Sequence, residues 1–185
     1  MTPAQVARRR RSQAGFTLIE LLIASVLGLV VLSALTSVVL TTSVAVNSAY
    51  GRVEASSQVR NFQLTAYDDF AMAKVPTPSG CGTPGAPCTT QEMLLRGLRV
   101  PNVANGVAGP FVVRYSWDST TDVVTRYSDT SSRVAADHVT AYSWYIDSSG
   151  SRPSVVVSLT VTIPSYNATY SQSQTFRFSP QVTAP

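Results

Sequence analysis

Few residues of this 185-residue chain could support metal or acid–base chemistry. It has one histidine, His138, and two cysteines, Cys81 and Cys88, whereas a structural zinc site takes four such ligands. Only 13% of the residues are charged, which argues against a charged coiled coil and against an acidic disordered tail. We therefore expect no catalytic residue, no metal and no cofactor, and we predict that the protein is not an enzyme.

Positive charge is scarce outside the N-terminus. The formal net charge is +4, and one short run supplies four of the 14 basic residues: Arg8, Arg9, Arg10 and Arg11. The remaining 10 basic residues balance 10 acidic residues. Strong binding of nucleic acid requires clustered lysine and arginine, so we expect none from the rest of the chain. A basic run directly before an apolar segment indicates instead a signal that orients the chain in a membrane.

A long uncharged segment follows the arginines. No charged residue occurs from Leu21 to Gly51. At about 1.5 Å per residue, a helix over Leu21–Val46 is longer than the hydrocarbon core of about 30 Å. The sequence therefore predicts one membrane-spanning helix. Because the arginines precede it, we expect the N-terminus in the cytoplasm and the C-terminal part outside.

Two small residues, Ala14 and Gly15, separate the basic run from the apolar segment. A cleaved secretory signal has its small residues after the apolar segment, so cleavage here would remove the arginines and keep the helix. The alternative is an N-terminal anchor that is not processed. Glu20 favours processing, because a lone carboxylate deep in a membrane costs roughly 2.5–3.5 kcal/mol unless it is paired. A new amino terminus at Phe16 would supply the cation.

Residues 15–24, with the sequence GFTLIELLIA, resemble the class III signal of type IV pilins and type II secretion pseudopilins. The resemblance implies that a prepilin peptidase cuts between Gly15 and Phe16 and N-methylates Phe16. It also implies that Glu20 pairs with the terminal amine of an adjacent subunit and sets the axial register of a filament. The expected partners are the peptidase, other pilin or pseudopilin subunits and the inner membrane.

One departure from this family bears on the subtype. Many major pilins have a helix-kinking proline at the position of Ser37, and here no proline occurs between Phe16 and Lys74. We therefore expect a helix without a proline kink, which favours a minor subunit. The pattern of the C-terminal strands also resembles that of PilW-type minor pilins and J-type minor pseudopilins.

The chain becomes amphipathic beyond Gly51. Six apolar residues recur at helical spacing: Ala55, Val59, Phe62, Ala66, Phe70 and Ala73. They predict a helix over 52–74 that packs on a globular domain and ends before Pro76. The predicted organisation is a leader at 1–15, a membrane or filament-core helix at 16–51 and a soluble domain at 52–185.

Cys81 and Cys88 lie in a segment rich in proline and glycine, 75–110, which we interpret as a connection with one helical turn in Glu92–Leu98. Outside the cytoplasm we expect the cysteines to form a disulfide. Closing so short a loop would stabilise the fold by about 2–3 kcal/mol in the chain-entropy description. Free thiols and a metal site are the alternatives.

Alternating apolar residues in 111–180 predict strands. The segments are Phe111–Trp117, Val123–Tyr127, Val139–Ile146, Ser154–Ile163 and a last strand around Phe176 and Phe178. We predict an antiparallel sheet of four to five strands packed against the amphipathic half of the helix. The fold class is α+β, and the arrangement is pilin-like.

The favoured function is that of a minor pilin-like structural subunit. Such a subunit would be processed and then assembled into a type IV pilus or related filament, at the cell surface or in the periplasm, for adhesion, motility, DNA uptake or secretion. One alternative is a J-like minor pseudopilin of a type II secretion system. Another is a membrane-anchored, β-rich binding module.

Overall fold

The computed structural model describes residues 15–99, 109–129, 131–165 and 169–180, so Arg8, Arg9, Arg10 and Arg11 lie outside the described residues. One helix, α1, occupies Leu18–Met72 and is followed by seven strands. These are β1 Met93–Arg99, β2 Gly109–Asp118, β3 Val123–Ser128, β4 Ser131–Ala136, β5 Val139–Asp147, β6 Ser154–Pro164 and β7 Thr169–Phe178. Contacts divide the chain into two compact units, between Ser43 and Val44.

The first unit contains the apolar part of α1. Every described residue in it is exposed, and the most apolar window of the helix has a mean hydropathy of 2.6. By length and composition α1 can cross a membrane. The hydroxyls of Ser25 and Ser33 donate to carbonyls of the preceding turn at 2.8 Å, which satisfies these polar groups within the helix itself.

The second unit contains the rest of α1 and two antiparallel sheets. One sheet has the strand order β1-β2-β3-β4, and the other has the order β5-β6-β7. Buried side chains from α1 and from both sheets form a single core. The predicted α+β, pilin-like class, a long N-terminal helix packed on antiparallel strands, is confirmed.

The predicted apolar face of α1 is also confirmed, because its six residues are all buried: Ala55, Val59, Phe62, Ala66, Phe70 and Ala73. The ring of Phe62 contacts Tyr115 of β2 at 5.9 Å and Tyr142 of β5 at 6.4 Å between centroids. It therefore packs on both sheets. One turn from the end of α1, Phe70 stacks on Phe178 of β7 at 4.1 Å.

The prediction of one sheet with four to five strands was wrong. The chain leaves the first sheet at Ala136 and enters the second at Val139, and between them His138 adopts a positive φ of 58°. Alternation within strands does not show which strands pair, so this change of sheet had no signal in the sequence. Strand β4 was missed because serine and alanine have a low strand propensity.

The prediction of a connection with a helical turn over 75–110 was also wrong, because β1 lies within it. Met93 and Leu95 are buried while Leu94 and Leu98 are exposed, which is the two-residue period of a strand. Gly97 of β1 lies directly against the end of α1. A Cβ there would lie 2.0 Å from the carbonyl oxygen of Met72, so only glycine allows this close approach.

Candidate processing and assembly site

The start of α1 is fixed by Thr17. Its Oγ1 accepts a hydrogen bond from the backbone N–H of Glu20 at 3.3 Å, and its carbonyl oxygen accepts one from the N–H of Leu21 at 3.2 Å. Thr17 is thus the N-cap, and the Thr-x-x-Glu spacing is that of a capping box. The helix therefore begins at Leu18, with Glu20 in its first turn.

Glu20 is exposed among apolar neighbours. Ile19, Leu21 and Leu22 have exposed fractions of 68%, 67% and 55%, and none offers a polar contact. Within the described ranges Glu20 has no ion-pair partner, although the positive end of the helix dipole favours an anion in the first turn. The carboxylate is therefore accessible to a cation from another chain.

The predicted cleavage point lies just before the helix. Gly15, Phe16 and Thr17 are outside α1, and Phe16 is 82% exposed. Apart from its two chain neighbours, no described residue has an atom within 4 Å of the position that a Cβ on Gly15 would occupy. The Gly15–Phe16 bond is therefore not covered by the described part of the protein, while its cleavage remains a prediction.

Cys81 and Cys88 form the expected disulfide, with their Cα atoms 5.1 Å apart. This finding excludes the free-thiol and metal alternatives in this structure. Cys88 exchanges two backbone hydrogen bonds with Trp144 of β5, at 2.8 and 2.9 Å, and the carbonyl of Gly82 accepts one from Ile146 at 2.9 Å. The closed loop therefore lies along β5.

A buried ion pair joins α1 to the four-stranded sheet. The carboxylate of Asp69 accepts hydrogen bonds from Nε of Arg126 at 2.5 Å and from Nη2 at 2.9 Å. The hydroxyl of Tyr115 donates to the same carboxylate at 2.8 Å and contacts the Thr65 carbonyl oxygen at 3.2 Å. Asp69 is 1% exposed and Arg126 is 7% exposed, so both charges lie within the fold.

The surroundings of this pair favour the charged form of Arg126 and the neutral form of Tyr115. The hydrogen bond to Asp69 raises the pKa of Arg126 above its usual value. Burial raises the pKa of Tyr115 far above its usual range, and the neighbouring Asp69 carboxylate raises it further. Tyr115 therefore remains a neutral donor, and Arg126 remains a cation.

Sequence reasoning missed the ion pair. Asp68 is exposed and Asp69 is buried, because neighbouring residues of a helix project in different directions. The missed signal was in β3, where Val124 and Arg126 are both buried at the two-residue period. An arginine on the buried face of a strand requires a buried acid.

Residues 10–36 match the family described as the prokaryotic N-terminal methylation motif. The matched range includes Gly15, Phe16 and Glu20. No curated protein and no solved structure matches the chain. The match supports the resemblance to type IV pilins and pseudopilins and indicates a pilin-like substrate of prepilin peptidase. It does not extend to the β-rich part, so it does not distinguish subtypes.

The buried ion pair predicts that substitutions of two adjacent aspartates have very different effects on the free energy of unfolding. Asp69→Asn should lower the free energy of unfolding by about 3–5 kcal/mol, because it leaves the Arg126 charge buried without its counter-charge. Asp68→Asn, at an exposed position, should change it by about 0.5 kcal/mol or less. Urea unfolding of the full chain in mild detergent, followed by tryptophan fluorescence, measures both. Equal stabilities of the two variants would contradict a structural role for Asp69.

The raised pKa of Tyr115 predicts a loss of stability at alkaline pH. Above about pH 10 the unfolded chain releases the tyrosine proton while the folded chain keeps it. Unfolding is then favoured by up to about 1.4 kcal/mol per pH unit from this residue. Tyr115→Phe should remove that part of the slope, whereas Tyr67→Phe, at an exposed position, should not. Unfolding curves between pH 8 and 11 test this, and identical slopes in both variants would refute it.

Proposed function

We propose that the protein is a minor structural subunit of a type IV pilus or related filament. The observation on which this rests is the methylation-motif match at residues 10–36, continued by a helix whose residues are all exposed from Leu18 to Tyr50. An uncovered apolar helix of this length requires lipid or other helices around it. Membrane storage followed by filament assembly provides both environments in turn.

The first step is processing at the inner membrane. The arginines at 8–11 keep the leader in the cytoplasm, and the peptidase cuts between Gly15 and Phe16 and methylates the new terminus. The cut removes four positive charges and creates one amine. It leaves Thr17 and the helix cap intact, so the membrane helix need not rearrange.

The second step is assembly through Glu20. In an apolar filament core an unpaired carboxylate is unfavourable, and the methylated amine of Phe16 on a neighbouring subunit supplies a cation. The carboxylate lies in the first turn, close in sequence to the amine of its own chain. A pair between subunits therefore fixes one subunit axially against the next. Such contacts are heterologous and build an open helical array.

The assignment to a minor subunit rests on α1 and on the second unit. The helix continues through Ser37, where many major pilins have proline, and the carbonyl oxygen of Ser37 accepts a bond from Thr41 Oγ1 at 2.9 Å. A proline-free helix and a two-sheet body fit a subunit whose body determines which partners it meets. The role is structural rather than enzymatic.

Processing predicts a defined N-terminus. When the full chain is expressed with an active prepilin peptidase, intact mass spectrometry should find a chain that begins at Phe16 and bears one methyl group. Gly15→Val should block cleavage, because the cut implied by the resemblance follows a glycine. Gly28→Val is a matched control, since beyond its chain neighbours and its own helix backbone neither glycine has a described atom within 4 Å of its Cβ position. Recovery of the wild-type chain still beginning at Met1 would defeat the processing step.

Assembly predicts a specific requirement for Glu20. Glu20→Ala should lower incorporation into filaments by about tenfold or more, as expected from the loss of about 1.4 kcal/mol. Membrane insertion and cleavage should be unaffected, because the apolar segment is unchanged. Glu54→Ala, an exposed acid later in α1, should assemble normally. Immunoblots of sheared filaments measure the assembled protein, and immunoblots of membranes measure the inserted protein. Normal incorporation of the Glu20 variant would exclude the pairing role.

A further inference from the structure

The outer face of the four-stranded sheet is the most unusual surface of the second unit. Among the described residues outside α1 and the N-terminal Phe16, five large apolar side chains are exposed. They are Leu94, Leu98, Val112, Tyr127 and Val134, with exposed fractions between 37% and 51%. All five belong to β1, β2, β3 or β4, and none belongs to the three-stranded sheet.

The strand register places these side chains on one face. Leu94 lies opposite Arg114, Arg114 lies opposite Tyr127, and Thr125 lies opposite Val134. The intervening residues of β1 and β2, such as Leu95 and Val113, are buried on the other side, against α1. Because successive strand residues face opposite ways, the five apolar side chains share the side away from the core.

The three-stranded sheet offers an internal comparison. Its outer face has serine and threonine pairs that bond across strands, Ser158 with Thr175 at 2.9 Å and Thr160 with Ser173 at 2.8 Å. No large apolar side chain is exposed there among the described residues. Exposed apolar side chains are thus a property of one face and do not follow from the composition of the chain.

The polar residues of the apolar face resemble those of protein interfaces. Arg114 lies over the ring of Tyr127, 4.5 Å from its centroid, and Arg96 is exposed beside Val112. Arginine and tyrosine are enriched in interfaces, whereas lysine and acidic residues are depleted. The outward positions of the four strands include no lysine between Leu94 and Val134 and one acid, Asp118 at the end of β2, which accepts hydrogen bonds from Thr120. Glu92 lies 3.3 Å from Arg114, so Arg96 is the outward arginine without an ion-pair partner among the described residues.

We propose that the outer face of the four-stranded sheet binds a second protein of different sequence, through an apolar surface of that protein that bears carboxylates. Arg96 supplies the charge complementarity, because Arg114 is already paired with Glu92. A second copy of this chain would bring a second Arg96 to the contact, which is unfavourable. Nucleic acid needs more clustered cations, and a lipid surface would leave Thr125 and Ser132 without hydrogen-bond partners. The proposal takes from the proposed function only that the domain lies outside the cytoplasm among other subunits.

Site-specific photo-crosslinking in the full chain tests this. Benzoylphenylalanine is introduced at Val112 or Val134, both exposed on the apolar face, and at Ser173 or Thr175 as controls on the hydroxyl face. Irradiation of intact cells should give a discrete adduct with one other protein from the first pair only. The crosslinked partner peptide, read by mass spectrometry, should have an aspartate or glutamate within a few residues.

Charge reversal makes the test specific. Arg96→Glu should lower the adduct yield by about tenfold, which corresponds to about 1.4 kcal/mol. Arg152→Glu, an exposed arginine outside the strands, should not lower it. Replacing the acid of the crosslinked partner peptide by arginine should restore the adduct with the Arg96→Glu chain. Unchanged resistance to protease would show that each variant is folded.

Several outcomes would overturn the proposal. These are adducts with a second copy of this chain, with lipid or with nucleic acid, equal yields from the two faces, or no effect of Arg96→Glu. A failure of the Glu20 variant to assemble does not enter this test, because crosslinking can be scored before filaments form. Conversely, normal processing and assembly with no adduct would refute the docking face alone and leave the proposed function standing.

Discussion

The ion pair between Asp69 and Arg126 is the constraint on which the packing of the second unit depends. Each charge loses its water in the core, and that loss is compensated only if the carboxylate meets the guanidinium of β3 and the hydroxyl of Tyr115 on β2. A shift of α1 by one turn would leave both charges buried and unpaired. The penalty of about 3–5 kcal/mol is a large share of the usual 5–15 kcal/mol of domain stability. Apolar contacts such as Phe70 on Phe178 are less directional. The ion pair therefore fixes the position of α1 along the sheets, and the apolar side chains pack in that position.

Helix α1 is continuous, but its N-terminal part is exposed and its C-terminal part packs on the sheets. The side chains of the two parts account for this difference. Up to Tyr50 every side chain is exposed and nearly all are apolar or small, so this part needs partners outside the chain. From Gly51 onward one face is buried and the other has residues such as Arg60 and Asp68. Glu20 is the exception in the first part, because it adds a charge where surrounding lipid or helices offer no water. A single acid there is costly without a cation beside it, and the proposed function supplies that cation as the amine freed by cleavage of the leader.

Periodicity predicted the elements whose pattern is long or strongly apolar. The helix face from Ala55 to Ala73, the hairpin β2–β3 and the alternation of β6 all follow from local spacing. The division into two sheets could not be predicted from local spacing, because the pairing of distant strands leaves no local pattern in the sequence. Strand β1 was misread because its seven residues contain three leucines, which suit a helix equally well. The candidate site at Gly15, Phe16 and Glu20 was predicted from local sequence, because an acid is rare in an apolar segment. The period of β3 could have indicated that Arg126 is buried, but its pairing with Asp69 could not be predicted, because the two residues lie 57 positions apart along the chain.

The disulfide between Cys81 and Cys88 closes a loop that also covers an edge strand. Loop closure alone would stabilise the fold wherever Cys81 and Cys88 lay. Here the closed loop is hydrogen-bonded along β5, which would otherwise be an open edge of the three-stranded sheet. At the other sheet, Lys74 bonds to the Arg96 carbonyl beside β1, so the end of α1 covers part of that edge. Open edges promote pairing between chains, a hazard for subunits held at high density in a membrane or filament. With one edge of each sheet covered in this way, pairing with a strand of another chain is restricted to the remaining edges, β4 and β7.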